Sequence, residues 1–196
     1  MRIILLSLLL FFTIGKATSQ INNEHLNIGE IAPKIVGVDQ FNVKIDSDIL
    51  LQEKKILLLF YRGNWCPKCK KHLLSLEENL DELTKKGFYV IVVTPETPEK
   101  IKETSKRFKS TFSIIHDFDN KIMDAYKVSF DVIEENVPNY FEFTLRKVRE
   151  YNNNENNVLP VPATYLINKN HKISYVQYNP DYSKRSNFAE ILNSLE

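Results

Sequence analysis

The feature that most constrains this sequence is a pair of cysteines, separated by two residues, between an apolar run and a helical pattern. Cys66 and Cys69 are the two cysteines of the 196-residue chain. The run 56–60 before them is wholly apolar, which predicts a strand buried on both faces. After them, leucines at steps of three and four predict one face of a helix: Leu73, Leu76, Leu80 and Leu83. Both sulfurs are therefore expected where a helix follows a central strand.

The helical spacing gives the two cysteines different surroundings. Cys69 lies four residues before Leu73, so it belongs to the face that packs on the core. Cys66 lies roughly 60° away around the helix axis, at the N-terminal end. There the unpaired backbone N–H groups and the positive field stabilise a thiolate and lower its pKa below the usual value of about 8.5. We expect an exposed, activated Cys66 and a shielded Cys69, as thiol–disulfide exchange requires.

Other roles for a CxxC motif fit this chain less well. A purely structural disulfide would close a very short loop and contribute only about 2 kcal/mol. A zinc site normally needs four ligands, and His72 supplies a third without a fourth at suitable spacing. Covalent haem attachment requires His directly after the second cysteine, where this chain has Lys70. The redox interpretation is favoured, with a structural disulfide as the alternative.

The pattern along the chain predicts an α/β fold in one domain, 20–196, with a central mixed sheet flanked by helices. Buried strands alternate with helices, which is typical of a parallel sheet. The expected elements are an N-terminal hairpin or edge strand at 35–45, strands at 55–61, 88–93 and 112–116, and helices at 67–86, 97–108 and 120–126. An antiparallel hairpin at 163–167 and 172–178 and a helix at 188–195 end the chain. Between the helix at 120–126 and this hairpin, residues 128–157 are interpreted as an insertion with a helix at 142–151 and a polar run at 152–157.

Residues 1–19 predict a secretory signal peptide. Arg2 precedes an apolar run at 3–14, and small residues follow at 17–19. That run is shorter than the roughly 20 residues of a membrane span, so stable membrane insertion after cleavage is not expected, although an uncleaved anchor is the alternative. The prediction is export to the periplasm or the extracellular space, outside the reducing cytosol.

The charge balance argues against nucleic acid as a partner. The chain has 26 basic and 25 acidic residues and a net charge of +1, and removal of the signal would change it to −1 by taking away Arg2 and Lys16. No strongly basic face is implied.

A second candidate element is Val161-Pro162, directly before the predicted strand at 163–167. The ordinary explanation is that proline begins a strand, where its missing N–H does no harm. The functional explanation is a cis peptide bond beside the sulfurs that presents Val161 backbone groups to a substrate. About 5–6% of X–Pro bonds are cis, so the sequence leaves both open.

The stretch 60–69, Phe-Tyr-Arg-Gly-Asn-Trp-Cys-Pro-Lys-Cys, together with the Pro-Ala-Thr strand at 162–164, resembles the thioredoxin superfamily. More narrowly, it resembles the peroxiredoxin-like branch of the alkyl hydroperoxide reductase/thiol-specific antioxidant group, as do the stretches 159–165 and 179–182. The resemblance covers about residues 27–195. It implies a thioredoxin-like fold with an insertion before the cis-proline strand.

The same resemblance implies roles for individual residues. Cys66 would be the attacking cysteine, Cys69 the resolving cysteine and Pro162 the cis-proline. Trp65 would shield the pair, and Pro67 would open the helix at the active site. A further candidate is Arg62, the nearest permanent cation, which would favour the thiolate or else form a surface ion pair.

One departure weakens the peroxide interpretation. Peroxiredoxins carry Thr three residues and Pro seven residues before the attacking cysteine, and here those positions hold Gly63 and Leu59. The sequence therefore predicts an exported thiol–disulfide oxidoreductase, able to act as an antioxidant, that needs no metal or organic cofactor. Its partners would be protein or small-molecule disulfides, with peroxides open, and a redox protein for recycling. The alternatives are a thiol peroxidase acting on hydroperoxides through Cys66, and a non-enzymatic binding module with a structural disulfide.

Overall fold

The computed structural model describes residues 24–152 and 156–195. Within them the strands are β1 (Val36–Val38), β2 (Lys44–Asp46), β3 (Lys55–Phe60), β4 (Phe88–Thr94), β5 (Ser113–His116), β6 (Ser129–Asp131), β7 (Val158–Pro160), β8 (Ala163–Ile167) and β9 (Ile173–Tyr178). The helices are α1 (Ser47–Glu53), α2 (Pro67–Glu78), α3 (Leu80–Lys85), α4 (Pro98–Phe108), α5 (Lys121–Ala125), α6 (Phe141–Asn152) and α7 (Phe188–Asn193). The predicted signal at 1–19 lies outside the described residues.

The central sheet has five strands in the order β5-β4-β3-β8-β9. Strand β4 pairs parallel with β3 and β5, whereas β8 pairs antiparallel with β3 and β9. The parallel half follows from the strand–helix–strand pattern, and the antiparallel half from the C-terminal hairpin. The predicted mixed sheet flanked by helices is confirmed.

Strand β3 lies at the centre of this sheet and is buried on both faces, as its unbroken apolar sequence predicts. Ile56, Leu58 and Phe60 contribute to one hydrophobic core. Leu57 and Leu59 contribute to the other, together with both cysteines and the apolar face of α2. Side chains alternate between the faces of a strand, so β3 supports two cores at once. The cysteines belong to the face that α2 covers.

The helix predicted over 67–86 is divided in two. Asn79 lies between α2 and α3, and its side-chain amide donates to the Ser75 carbonyl at 2.8 Å. Such local side-chain bonds compete with the helical hydrogen bonds of the backbone. Gly87 ends the second piece with a φ of 83°, as its place after the leucine pattern predicts.

The insertion predicted at 128–157 contains β6 and α6, and it extends beyond the predicted end, because β7 at Val158–Pro160 pairs antiparallel with β6. The helix predicted at 142–151 is confirmed by α6, while residues 153–155 of the polar run lie outside the described part. Val148 of α6 packs with Leu159 and Val161 in a third cluster, against which Trp65 also rests. The insertion therefore reaches the cysteine end of the sheet.

In the two described stretches, no helix has the length and apolar character needed to cross a membrane.

Candidate functional site

The site is built around the N-terminus of α2, which begins after Cys66. Cys66 has an extended backbone, with φ −88° and ψ 115°, and makes no side-chain capping bond, while Pro67 occupies the first turn. That turn contains no acidic residue, so nothing in it neutralises the positive end of the helix. The free N–H groups and their field are thus directed at the Cys66 sulfur.

The two sulfurs differ strongly in acidity. Both cysteines are free and buried. The pKa of Cys66 falls to about 6, first because its thiolate accepts a hydrogen bond from the Cys69 side chain, and further through the Cys69 backbone and the guanidinium groups of Arg62 and Arg185. The pKa of Cys69 is raised, first by burial and then by its bond to Cys66. At neutral pH the pair therefore holds one thiolate, at Cys66, and one thiol, at Cys69.

The expected exposure of Cys66 is wrong, since 3% of its surface is accessible. Cys66 belongs to the hydrophobic cluster against which Trp65 packs. Cys66 instead lines a pocket of about 400 Å³, together with Arg62, Pro67 and residues 136–140, 143 and 144 of the insertion. Access to the sulfur is through this pocket.

The walls of the pocket are largely apolar and aromatic. The insertion contributes Val137, Tyr140 and Phe143. Phe143 meets the Trp65 ring edge to face, with the ring centroids 6.1 Å apart. Trp65 packs against the hydrophobic cluster that contains both cysteines, and it forms part of the pocket wall.

Arg62 is buried beside the sulfurs, with 4% of its surface exposed. Its guanidinium carbon lies 5.1 Å from the centroid of the Trp65 ring and 5.0 Å from that of Tyr182. No carboxylate pairs with it among residues 24–152 and 156–195, and its Nε has no hydrogen-bond partner there. The alternative of a surface ion pair is therefore wrong, and the cation is held by two aromatic rings next to Cys66.

The predicted cis-proline is wrong: the described chain contains no cis peptide bond, so Val161–Pro162 is trans. The position itself is as expected, because Ala163 pairs with Phe60 and places Pro162 at the cysteine end of the sheet. However, the Val161 N–H donates to the Val128 carbonyl at 2.7 Å. That N–H serves the insertion and is not presented to a substrate.

Gly63 explains why the threonine of the peroxiredoxin pattern is missing. Its φ is 146°, and an added Cβ would lie 2.4 Å from the Trp65 Nε1 and 3.2 Å from the Glu96 Oε1. A side chain does not fit there without displacing Trp65. Where peroxiredoxins have the threonine side chain, glycine leaves room for the Trp65 ring.

Glu96 is a buried carboxyl beneath the cysteine loop that the sequence pattern did not reveal. It accepts a 2.7 Å hydrogen bond from the Asn64 N–H and another from the Tyr61 hydroxyl. Its pKa is raised to about 7, chiefly by burial, although both of these bonds oppose the rise. No basic side chain of the described chain forms an ion pair with it.

Arg185 is a second residue that sequence reasoning missed. Its Nη2 lies 3.8 Å from the Cys69 sulfur, although the two residues are 116 positions apart. It precedes the C-terminal helix in a stretch without any recognisable motif. Only the folded chain brings this cation to the site.

Comparisons with known proteins agree with this architecture. The sequence model of the AhpC/TSA family matches residues 28–176. Peroxiredoxin Bcp of Escherichia coli K12 is 28% identical over 103 residues, which cover 53% of this chain and 65% of that protein. Chloroplastic peroxiredoxin Q of Oryza sativa subsp. japonica is 22% identical over 143 residues, 73% of this chain and 55% of that protein. The matched part thus spans less than two thirds of these relatives.

Solved structures resemble the chain in fold. Peroxidoxin BcpB of Mycobacterium tuberculosis has a TM-score of 0.68 at 13% identity, with 87% of this chain and 97% of that one covered. The thioredoxin domain of a thiol-disulfide oxidoreductase from Bacteroides vulgatus has a TM-score of 0.59 at 16% identity, with 87% and 99% covered. At such identities the likeness concerns the fold alone.

Proposed function

The chain belongs to the AhpC/TSA family, and on that premise we propose that it is a thiol peroxidase in which Cys66 reduces hydroperoxides and Cys69 closes the reaction as a disulfide. Its peroxiredoxin relatives support this function more than the disulfide oxidoreductase that the CxxC motif alone favours. The family match and the shared architecture support a peroxiredoxin-like thiol enzyme of thioredoxin fold.

The observation that carries the proposal is the state of Cys66 at the end of a pocket. With a pKa of about 6, this sulfur is mostly thiolate at pH 7, and the thiolate is the nucleophile. The pocket of about 400 Å³ lets a small molecule reach it. Arg62 lines the same pocket and supplies a positive charge without a carboxylate partner among the described residues.

In the first step the Cys66 thiolate attacks the outer oxygen of a hydroperoxide. An S–O bond forms and the O–O bond breaks, giving Cys66 sulfenic acid and an alkoxide or hydroxide. Arg62 stabilises the negative charge that develops on the leaving oxygen. The Cys69 thiol, hydrogen-bonded to Cys66, is a nearby proton source, so the product leaves as alcohol or water.

In the second step the Cys69 thiolate attacks the Cys66 sulfur. The S–S bond forms, the S–O bond breaks, and the departing hydroxide takes up a proton to become water. The hydroperoxide is thereby reduced by two electrons, which the dithiol supplies on becoming a disulfide. A thioredoxin-type redox protein would return the disulfide to the dithiol, in an exported location if residues 1–19 act as the signal that they resemble.

The second candidate is thiol–disulfide exchange, and the specific observation that favours it is Gly63. It leaves no hydroxyl three residues before Cys66, where peroxiredoxins keep a threonine. In that function Cys66 would attack a substrate disulfide and Cys69 would release the reduced product.

Stopped-flow mixing of the reduced protein with hydroperoxide tests the proposal. Trp65 is the single tryptophan of the chain and adjoins Cys66, so its fluorescence should report oxidation. We expect rapid oxidation that is abolished in Cys66→Ser and stops at a trappable sulfenic acid in Cys69→Ser. Reduction of insulin disulfides together with oxidation by peroxide no faster than that of a free thiol would overturn the peroxidase and favour the exchange activity.

A further inference from the structure

The second step of the proposed reaction presents a chemical difficulty at Cys69. Once it has given its proton to the first product, this sulfur must remain a thiolate until it attacks Cys66. It is nearly inaccessible, with 1% of its surface exposed, and its surroundings favour the neutral thiol. A buried thiol that has to ionise needs a positive group in contact with it.

Arg185 supplies such a group. Its Nη2 donates toward the Cys69 sulfur at 3.8 Å. Its Nη1 donates to the Tyr182 carbonyl and, at 2.8 Å, to the Lys184 carbonyl. No carboxylate of the described chain forms an ion pair with it, although Arg185 contributes to lowering the pKa of the exposed Asp181.

Arg185 is held in place by its neighbour Ser186, which is fixed to two elements of the fold. The His72 Nε2 lies 3.0 Å from the Ser186 hydroxyl and 3.1 Å from its carbonyl oxygen. The Ser186 hydroxyl is also 2.8 Å from the hydroxyl of Thr164 in β8. His72 lies three residues after Cys69 in α2, so the helix that carries the sulfur also anchors the arginine.

His72, which anchors Ser186, is uncharged at neutral pH. Burial, with a contribution from Arg185, lowers the pKa of His72 to about 4, so its ring is neutral at pH 7. The ring stacks on Phe188 with the centroids 4.8 Å apart and an interplanar angle of 14°. His72 is therefore a fixed support for the segment rather than a further cation beside Cys69.

The two arginines of the site have different positions. Arg62 lines the pocket from which a hydroperoxide would reach Cys66, whereas Arg185 is absent from the pocket lining and contacts Cys69. One cation faces the substrate and the other faces the resolving sulfur.

We propose that Arg185 is a catalytic residue of the second step: its guanidinium stabilises the Cys69 thiolate that attacks oxidised Cys66. Where the substrate is a hydroperoxide, this inference rests on the proposed function. The same contact serves any reaction in which Cys69 resolves Cys66, because the S–S bond forms from the same thiolate whether the leaving group is hydroxide or a thiolate.

The test measures the second step without peroxide, so its outcome is independent of the peroxidase proposal. A mixed disulfide is formed between Cys66 and thionitrobenzoate, and attack by Cys69 releases thionitrobenzoate as a coloured thiolate. We expect Arg185→Gln to slow this release about tenfold at pH 7 and to raise the midpoint of its pH profile by about one unit. Arg185→Lys should restore most of the rate, and Lys184→Gln is the matched control, an exposed cation one residue away.

The first step provides the internal reference. Oxidation of Cys66 by peroxide, measured in the Cys69→Ser background, should change less in Arg185→Gln than the release rate does. An equal loss in both steps would assign the arginine to Cys66, and an unchanged release rate and profile would remove any role for it at Cys69; either result overturns the proposal. If Arg185→Gln fails to fold, Ser186→Ala replaces it, because loss of the anchor should reproduce part of the defect and an unaltered profile would again be contradictory.

Discussion

Two neighbouring strand-to-helix junctions of the central sheet both place a proline in the first turn of the helix, but only one of the two helices has a side-chain cap. Strand β3 leads into α2 and strand β4 leads into α4, and each helix has proline in its first turn, Pro67 and Pro98. At α4 the Thr97 hydroxyl caps the helix by accepting from the Lys100 N–H at 3.4 Å, and Glu99 adds an acidic side chain. At α2 the corresponding residue is Cys66, which makes no capping bond, and the first turn has no acidic residue.

The difference shows what each junction contributes. A threonine cap adds about 1 kcal/mol of stability by satisfying a free N–H group. The α2 junction forgoes this, and its positive end is left to stabilise a thiolate instead. One junction is optimised for stability and the other for an ionised sulfur.

Glu96 connects the two junctions. It lies in the loop between β4 and α4, yet its Oε1 accepts the Asn64 N–H from the loop between β3 and α2. The capped junction thus supports the uncapped one through a buried carboxyl. Because Glu96 is buried, its ionised form is disfavoured, and its pKa is raised to about 7.

The largest expected effect comes from removing this charge with Glu96→Gln. Glutamine can keep both contacts, since its oxygen accepts from Asn64 and its amide donates to the Tyr61 hydroxyl. Glu96 has a pKa of about 7 in the folded protein against an ordinary value of 4.5. The wild type therefore binds more protons when folded, and it loses stability as pH rises between these values. Relative to the wild type, the variant should gain on the order of 3 kcal/mol between pH 4 and pH 8.

Urea unfolding at several pH values measures this difference. Glu99→Gln is the control, the same change at an exposed position three residues away. Because the pKa of Glu99 is lowered in the first turn of α4, this variant should instead lose a little stability relative to the wild type as pH rises, the opposite direction to Glu96→Gln. A constant difference in unfolding free energy between Glu96→Gln and the wild type across the range would mean that Glu96 titrates normally. The contact between the two junctions would then carry no pH-dependent electrostatic cost.

A smaller effect is expected from Arg62→Gln, which tests the uncapped junction alone. Loss of a guanidinium that favours the Cys66 thiolate should raise the pKa of Cys66 above its present value of about 6. A shift of roughly one unit would lower the thiolate fraction at pH 6 from about one half to about one tenth, so we expect oxidation of Cys66 to slow about fivefold there. The loss should be smaller toward pH 9, where Cys66 is ionised in both proteins and only the stabilisation of the leaving oxygen by Arg62 is missing. The pH dependence of iodoacetamide alkylation gives the pKa directly.

The control for this variant is Lys68→Gln, which removes an exposed cation from the same turn of α2. An alkylation profile that moves equally in both variants would show that Cys66 senses only the general charge of the surface. The buried position of Arg62 between two aromatic rings would then have no special effect on the sulfur.

The sequence predicts those features that depend on neighbours along the chain. The central strand β3, the helix after it, the C-terminal hairpin and α6 follow from apolar spacing and turn residues, which act locally. The chemical asymmetry of Cys66 and Cys69 also follows from their places on one helix. Such features need no knowledge of distant contacts.

The features that it missed depend on residues far apart in the chain. Arg185 reaches Cys69 across 116 positions, and Glu96 reaches Asn64 across 32. Cys66 shares its pocket with Asn136 and its neighbours in the insertion, 70 or more positions further along the chain. The Val161 N–H likewise donates to a residue far along the chain, Val128.

The smallest expected effect concerns the capped junction. Thr97→Ala removes the hydroxyl that satisfies the Lys100 N–H and should lower the free energy of unfolding by about 1 kcal/mol. Thr97→Ser keeps a capping hydroxyl and should lose much less. Because the helix field acts within the first turn, neither change at α4 should alter the pKa of Cys66 or its rate of oxidation. A change in the alkylation profile of Cys66 in Thr97→Ala would show that the two junctions share more than the Glu96 contact, and that capping one helix conditions the thiolate at the other.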